Sequence, residues 1–163
     1  MKGKYIFKAQ DAQPVQPGQR PPLHADSITA SHYALDSHAV RKRETGRIHL
    51  DGFISYPSAV YTVPFRVMVP DSPLENLLAP VPASATHIGF STLRMEPCWM
   101  ALGQAAGTAA ALCVQKKQSV HELPVTELQK ALLKQKAILV YTKGMTTDDP
   151  NFEANQLAAL NPK

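Results

Sequence analysis

The stretch Ser84–Val114, SATHIGFSTLRMEPCWMALGQAAGTAAALCV, decides how the rest of the chain is read. It opens with small and polar side chains, passes Arg94, and becomes an apolar run rich in Gly and Ala. Between Trp99 and Val114 there is no charge, and Gln104 and Thr108 are the main polar interruptions. Those sixteen residues predict a helix about 24 Å long at 1.5 Å per residue. Its apolar residues go most of the way round, so burial on nearly all sides is expected. The small residues Gly103, Ala105, Ala106, Gly107, Ala109 and Ala110 point to a neighbour whose backbone approaches closely.

Working outward, the flanking segments do not supply such a neighbour. Upstream, Tyr5–Ala9 reads as a short strand, and Gln10–Pro22, with Pro14, Pro17, Gly18, Pro21 and Pro22, reads as a long loop. Ser27–His38 is β-prone and carries His32, Asp36 and His38. Asp51-Gly52 between Arg47–Leu50 and Phe53–Tyr56 is a hairpin signal. Ala59–Val69 reads as a strand with Pro64 at an edge or bulge, and Asn76–Ala79 as a short strand. Val81–Arg94 has no clear period and is expected to be a loop. The main helix should start near Glu96-Pro97, since proline is tolerated in a first turn and Glu96 complements the positive end of the helix dipole. It should end around Gln115–Gln118. Pro124 opens a second helix to about Lys136, with Leu128, Leu132 and Leu133 on its apolar face. Ala137–Tyr141 is a candidate final strand, and Thr142–Lys163 a polar tail with a frayed helical turn at most. The series contains no βαβ run to build a parallel sheet over the main helix.

Composition narrows the function classes. The chain has 163 residues, 44% of them apolar, and a formal net charge of +4. Its basic runs, Arg41-Lys42-Arg43 and Lys116-Lys117, are short and lack interleaved aromatics, which argues against nucleic acid. Cys98 and Cys113 fall on one predicted helix about 22 Å apart, beyond the ~7 Å a disulfide allows. Without CxxC or Cys/His ligand spacing, no metal is expected. MKGKYIFKAQ at the start has no signal-peptide apolar region. The charge-free run falls short of the ~20 apolar residues of a membrane span. A soluble chain is expected, cytoplasmic by default.

The residues Asn76–Ala111, NLLAPVPASATHIGFSTLRMEPCWMALGQAAGTAAA, resemble the C-terminal FAD-binding segment of a bacterial family of FAD-dependent oxidoreductases, some members of which are labelled xanthan-lyase-related. ALDSH at Ala34–His38 and VPFRVMVP at Val63–Pro70 resemble that family's substrate-domain text. The resemblance covers about residues 3 to 140. It implies an α+β fragment of a two-domain FAD/NAD(P)-binding, Rossmann-like flavoprotein, with antiparallel strands from the substrate domain and the last strand and long helix of the FAD domain. Residues 1–70 would be a partial substrate domain, 71–141 the end of the FAD domain, and 142–163 a polar tail. The strand–GxGxxG–helix unit that holds the FAD pyrophosphate in such proteins has no counterpart in this sequence.

The resemblance places Thr92, Leu93, Arg94 and Met95 beside the flavin ring, with Pro80, Val81 and Ser84 lining the approach. A helix N-terminus there would stabilise negative charge on the reduced ring. His87 and His38, the latter with Asp36 two residues before it, are candidate acid–base groups. Arg66 is a candidate for binding an anionic or glycan oxygen. Structural roles stand beside each of these: an Arg94 that caps a loop or pairs with a carboxylate, a hydrogen-bonded loop His87, a surface His38, an outward-facing Arg66. The expected activity of the whole protein is hydride transfer between a small molecule, sugar-related by family association only, and flavin. The chain alone is expected to be inactive and without FAD. The alternative is a non-catalytic module that self-associates, or docks on a partner chain covering helix 97–115. A hydrolase has little support, since no G-x-S-x-G elbow or metal cluster is present.

Overall fold

The protein is described by a computed structural model over residues 1–42, 44–46 and 51–161. Among these residues four short strands precede the α-helices: β1 Ser27–Ser31, β2 Leu35–Ser37, β3 Ile54–Tyr56 and β4 Tyr61–Pro64. Four helices follow: α1 His87–Leu93, α2 Glu96–Lys116, α3 Val125–Lys134 and α4 Phe152–Leu160. The strands make two antiparallel pairs, β1 with β4 and β2 with β3. A bulge between Ser27 and Thr29 interrupts the first register. Pro64 ends β4, where the chain passes into a 3-10 turn at Phe65–Val67. In the second pair Asp36 faces Ser55, so the described partner of Phe53–Tyr56 lies upstream at β2. The other expected arm of the Asp51-Gly52 hairpin, Arg47–Leu50, lies outside the described residues, as does Arg43 of the basic run.

Several expectations need correction. The segment after Val81 is not all loop. Thr86 caps α1 by accepting a hydrogen bond from the Gly89 N–H at 3.1 Å, and a seven-residue helix follows. Tyr5–Ala9 forms no continuous strand. Gly3 bridges Pro70 and Phe7 bridges Ala85, and a 3-10 turn occupies Ala9–Ala12. Asn76–Ala79 and Ala137–Tyr141 form no strand either. The latter is nonetheless held in place by one side-chain amide. Gln156 accepts from the N–H groups of Leu139 and Val140 at 2.8 and 2.9 Å, and donates to the Val140 carbonyl at 2.8 Å. The tail is therefore not frayed: Phe152, Gln156 and Leu160 of α4 are buried.

α2 starts and stops as its sequence indicates, with Pro97 in the first turn and Lys117 capping the C-terminus at φ 53°. Such a left-handed cap frees the last carbonyls for N–H groups that follow; here the Lys117 and Gln118 N–H groups reach Val114 and Cys113. Burial on nearly all sides does not occur within this chain. The buried positions are Cys98, Leu102, Ala105, Ala109 and Cys113, a single stripe at steps of three and four, and α2 packs against β1 and α3. Its outer face is exposed, with Met100 at 74% and Val114 at 78%. A Cβ added at Gly103 or Gly107 would meet nothing within 4 Å. At 21 residues, α2 is long and apolar enough to cross a membrane by length and composition, which the charge-free run alone is not; 28% of its apolar window is buried inside the chain. One core cluster runs from Phe7 through Tyr61, Leu93, Leu102 and Leu132 to Leu160.

Candidate functional site

α1 and β2 form the walls of a cleft. His87 is the first residue of α1 and is exposed; its Nε2 lies 2.6 Å from the hydroxyl of Ser37, the buried last residue of β2. Arg94, just beyond α1, donates from Nη2 to the Asp36 carbonyl at 2.9 Å and to its carboxylate at 3.1 Å. The Tyr33 hydroxyl also donates to that carboxylate, at 3.3 Å. His38 Nε2 stands 3.7 Å from the same Oδ2, on a side chain that is 80% exposed. Asp36 therefore pairs first with Arg94 and only loosely with His38. Ser37, His38, His87, Phe90 and Arg94 line the resulting cavity of about 330 Å³. Two imidazoles, a guanidinium and a hydroxyl beside one aromatic ring can bind and exchange protons with a small hydroxylated molecule.

The fold brings His87, His38 and Arg94 together. It sends the other candidates elsewhere. Met95 precedes α2 and lines a second cavity, about 280 Å³, with Ser31, His32, Tyr33, Pro97 and Cys98. Thr92 and Leu93 are turned into the core. Thr92 donates to the Tyr33 carbonyl at 2.5 Å, and the Tyr61 hydroxyl, its pKa pushed up to about 12 by burial, lies 2.9 Å from Thr92 Oγ1. Ser84 is buried, its N–H donating to Val67 and its carbonyl accepting from Phe7. Pro80 is half-buried and Val81 exposed on the preceding turn. Arg66 belongs to a different cavity. Its Nε and Nη2 donate to the Asp26 carboxylate at 2.8 and 3.1 Å, and the guanidinium sits 5.0 Å from the Tyr5 ring centroid.

Sequence reasoning missed Ser37 and Phe90 in the first cleft and Tyr33, which lines the second and donates to Asp36; His32, noted in the sequence beside Asp36 and His38, falls in the second. A serine ending a three-residue strand, or a tyrosine in the link before it, carries no pattern of its own. Only the pairing of β2 with α1 reveals them. Among the described residues no group of His, Cys, Asp and Glu is arranged to hold a metal, and Cys98 and Cys113 are free and buried.

The fit to a flavin is partial. The cavity at the first turn of α2 is bordered by Met95 and Pro97 and could receive the edge of a planar ring. Among the described residues no parallel strand–turn–helix exists to cradle a pyrophosphate. Mixed helices with small antiparallel sheets are compatible with part of an FAD-binding protein. The chain belongs to the FAD dependent oxidoreductase family, which it matches over residues 1–132. Full-length members of such a family bind FAD, so the relationship to flavin oxidoreductases is established at that level. Neither the curated proteins nor the solved structures contain a match.

Proposed function

We propose that this chain is the substrate-facing and flavin-facing C-terminal portion of an FAD-dependent oxidoreductase of the bacterial group that includes xanthan-lyase-related members, and that alone it neither retains FAD nor turns over. Residues 1–70 derive from the substrate domain and 71–141 from the FAD domain. The observation that carries this reading is the bare outer face of α2. Glycines at 103 and 107 cost helix stability, yet nothing among the described residues uses the room they leave. A nucleotide-holding sheet with close backbone approach would use it. The group assignment is supported by the long motif at Asn76–Ala111.

Bound FAD would supply the hydride acceptor. Within this chain, His87 takes the hydroxyl proton of the substrate as hydride leaves the adjacent carbon. Arg94 and His38 orient the substrate's other oxygens, and Phe90 offers its ring face to the C–H surface of a sugar-related molecule. The test is direct. The purified chain should be colourless; a stoichiometric flavin band in its visible spectrum would overturn the claim that it cannot hold FAD. Co-expression with a strand–GxGxxG–helix unit from a family member should produce a yellow complex.

A second reading is a non-catalytic, water-soluble module whose α2 face is covered by another copy of the chain. The exposure of Met100 and Val114 favours it. Light scattering that returns a well-behaved monomer would count against this reading.

A further inference from the structure

The segment after α3 forms no strand, yet each residue from Ile138 to Tyr141 is tied down. The Ile138 carbonyl accepts from the Ala30 N–H at 3.0 Å, and the Leu139 carbonyl from the Ser27 hydroxyl at 2.6 Å. Gln156 holds Leu139 and Val140, and Arg20 Nη2 donates to the Tyr141 carbonyl at 3.1 Å. This segment and β1 are therefore two fixed walls, and they border a cavity of about 650 Å³. That size suits a small molecule. Val60, Ile138 and Tyr141 give the cavity an apolar side, and Ser31, His32 and Lys136 a polar one. It shares no lining residue with the His87 cleft.

The charge at this cavity has no counterpart. Lys136 follows the C-cap of α3 with φ 62°, a left-handed backbone where glycine is the usual residue. The chain nevertheless keeps a lysine there. Its ammonium donates to the Thr147 carbonyl at 2.9 Å and lies 5.6 Å from the Phe152 ring centroid. An ammonium has further N–H donors beyond one such bond. Arg66 and Arg94, which border other cavities, are each paired with an aspartate. Among the described residues no carboxylate pairs with Lys136, and none lines its cavity. We propose that the cavity bordered by β1 and residues 136–141 is a binding site for a small organic carboxylate with an apolar body. Lys136 meets the carboxylate, His32 and Ser31 offer it hydrogen bonds, and Val60, Ile138 and Tyr141 take the body. Water displaced by the body strengthens the charge contact, and the body adds its own burial. Because both walls are fixed before the ligand arrives, little ordering entropy opposes binding. The site goes beyond the flavin reaction and does not depend on it.

Benzoate serves as the probe, with binding read from backbone amide shifts of the ¹⁵N-labelled chain alone. It should give saturable shifts at residues 30–32 and 136–141, with a Kd on the order of 1 mM to 10 mM for so small a ligand. Acetate has the charge without the body, and benzyl alcohol the body without the charge. Each should bind at least about fivefold more weakly than benzoate. Lys136→Met keeps the stem and removes the charge, and should bring benzoate down to the level of benzyl alcohol. Lys136→Arg should keep the preference. Ile138 is 46% exposed, so Ile138→Glu can set a carboxylate in the wall, and benzoate binding should be lost. An absence of saturable shifts, or shifts centred on the His87 cleft or the Arg66 cavity, would overturn the proposal. So would parity of benzoate with acetate or benzyl alcohol, or undiminished benzoate binding by Lys136→Met. If Lys136→Met does not fold, the ranking of the three probes on the wild-type chain decides.

Discussion

At Asp11, burial and bonding pull in opposite directions. Burial works to raise its pKa. Against it stand the His24 imidazole, the Lys8 N–H and the Tyr5 hydroxyl, and together they hold the carboxyl below the usual range. The Tyr5 and Lys8 bonds are both 2.7 Å, whereas His24 Nε2 stands 3.5 Å away. A carboxyl depressed on folding contributes stability that is present above its unfolded pKa and lost as pH falls through the folded value. Urea unfolding followed from neutral to acid pH should show that loss, and Asp11→Asn should flatten it while costing about 1–3 kcal/mol at neutral pH. Cys98 makes the complementary case. Burial pushes its thiol up to about 11, so almost no thiolate exists at neutral pH. A thiol reagent should leave the native chain untouched and modify both cysteines once urea is added. Fast labelling of native Cys98 would contradict the packing of α2 on β1.

At the scale of elements, what was legible depended on punctuation. Pro97 and Pro124 announce α2 and α3, and both helices lie close to where the prolines put them. α1 lacks such a signal. Its seven residues include Gly89, Ser91 and Thr92, too short and too polar to show a period. Tertiary fit explains its form: a Cβ at Gly89 would stand 2.3 Å from the Phe7 carbonyl. Gly89→Ala should therefore destabilise by more than the helix propensity gain returns, ~2 kcal/mol or more, measurable as a lowered urea midpoint. α4 was hidden because its buried stripe, Phe152, Gln156 and Leu160, is one residue wide and centred on a glutamine. Gln156→Ala should cost about 3 kcal/mol, since it strands two N–H groups and a carbonyl. Of the site, the long motif made His87 and Arg94 legible. The serine and tyrosine beside them became visible only when β2 and α1 were placed together.

For the whole molecule the decisive asymmetry is between the two faces of α2. In isolation, replacing Gly103 and Gly107 together by Ala should raise the melting temperature, each by up to about 1 kcal/mol of stability, because the added methyls enter empty space. The same pair, or Gly103→Leu, should weaken assembly with a flavin-binding unit and reduce the flavin carried by the co-expressed complex. A variant that gained stability and still bound the unit as tightly as wild type would show that the small-residue face is not what the sheet rests on. The polar ties from α2 to α3, Gln104 and Thr108 to Gln135 and Lys116 to Glu127, lie on neither the buried stripe nor that face, and should tolerate both substitutions.

Two glutamines stand in for strands that are missing. Gln129 donates to the carbonyls of Ala25 and Ser27 at 2.8 and 3.0 Å, and Gln156 satisfies the 139–140 backbone. The first lies within the span shared with the family, residues 1–132, and the second beyond it. The latch that shuts the core on that side thus lies outside the matched span. A chimera that keeps the shared span and takes a relative's following segment would need its own means of fastening residues 139 and 140, or else leave that flank of the core wet.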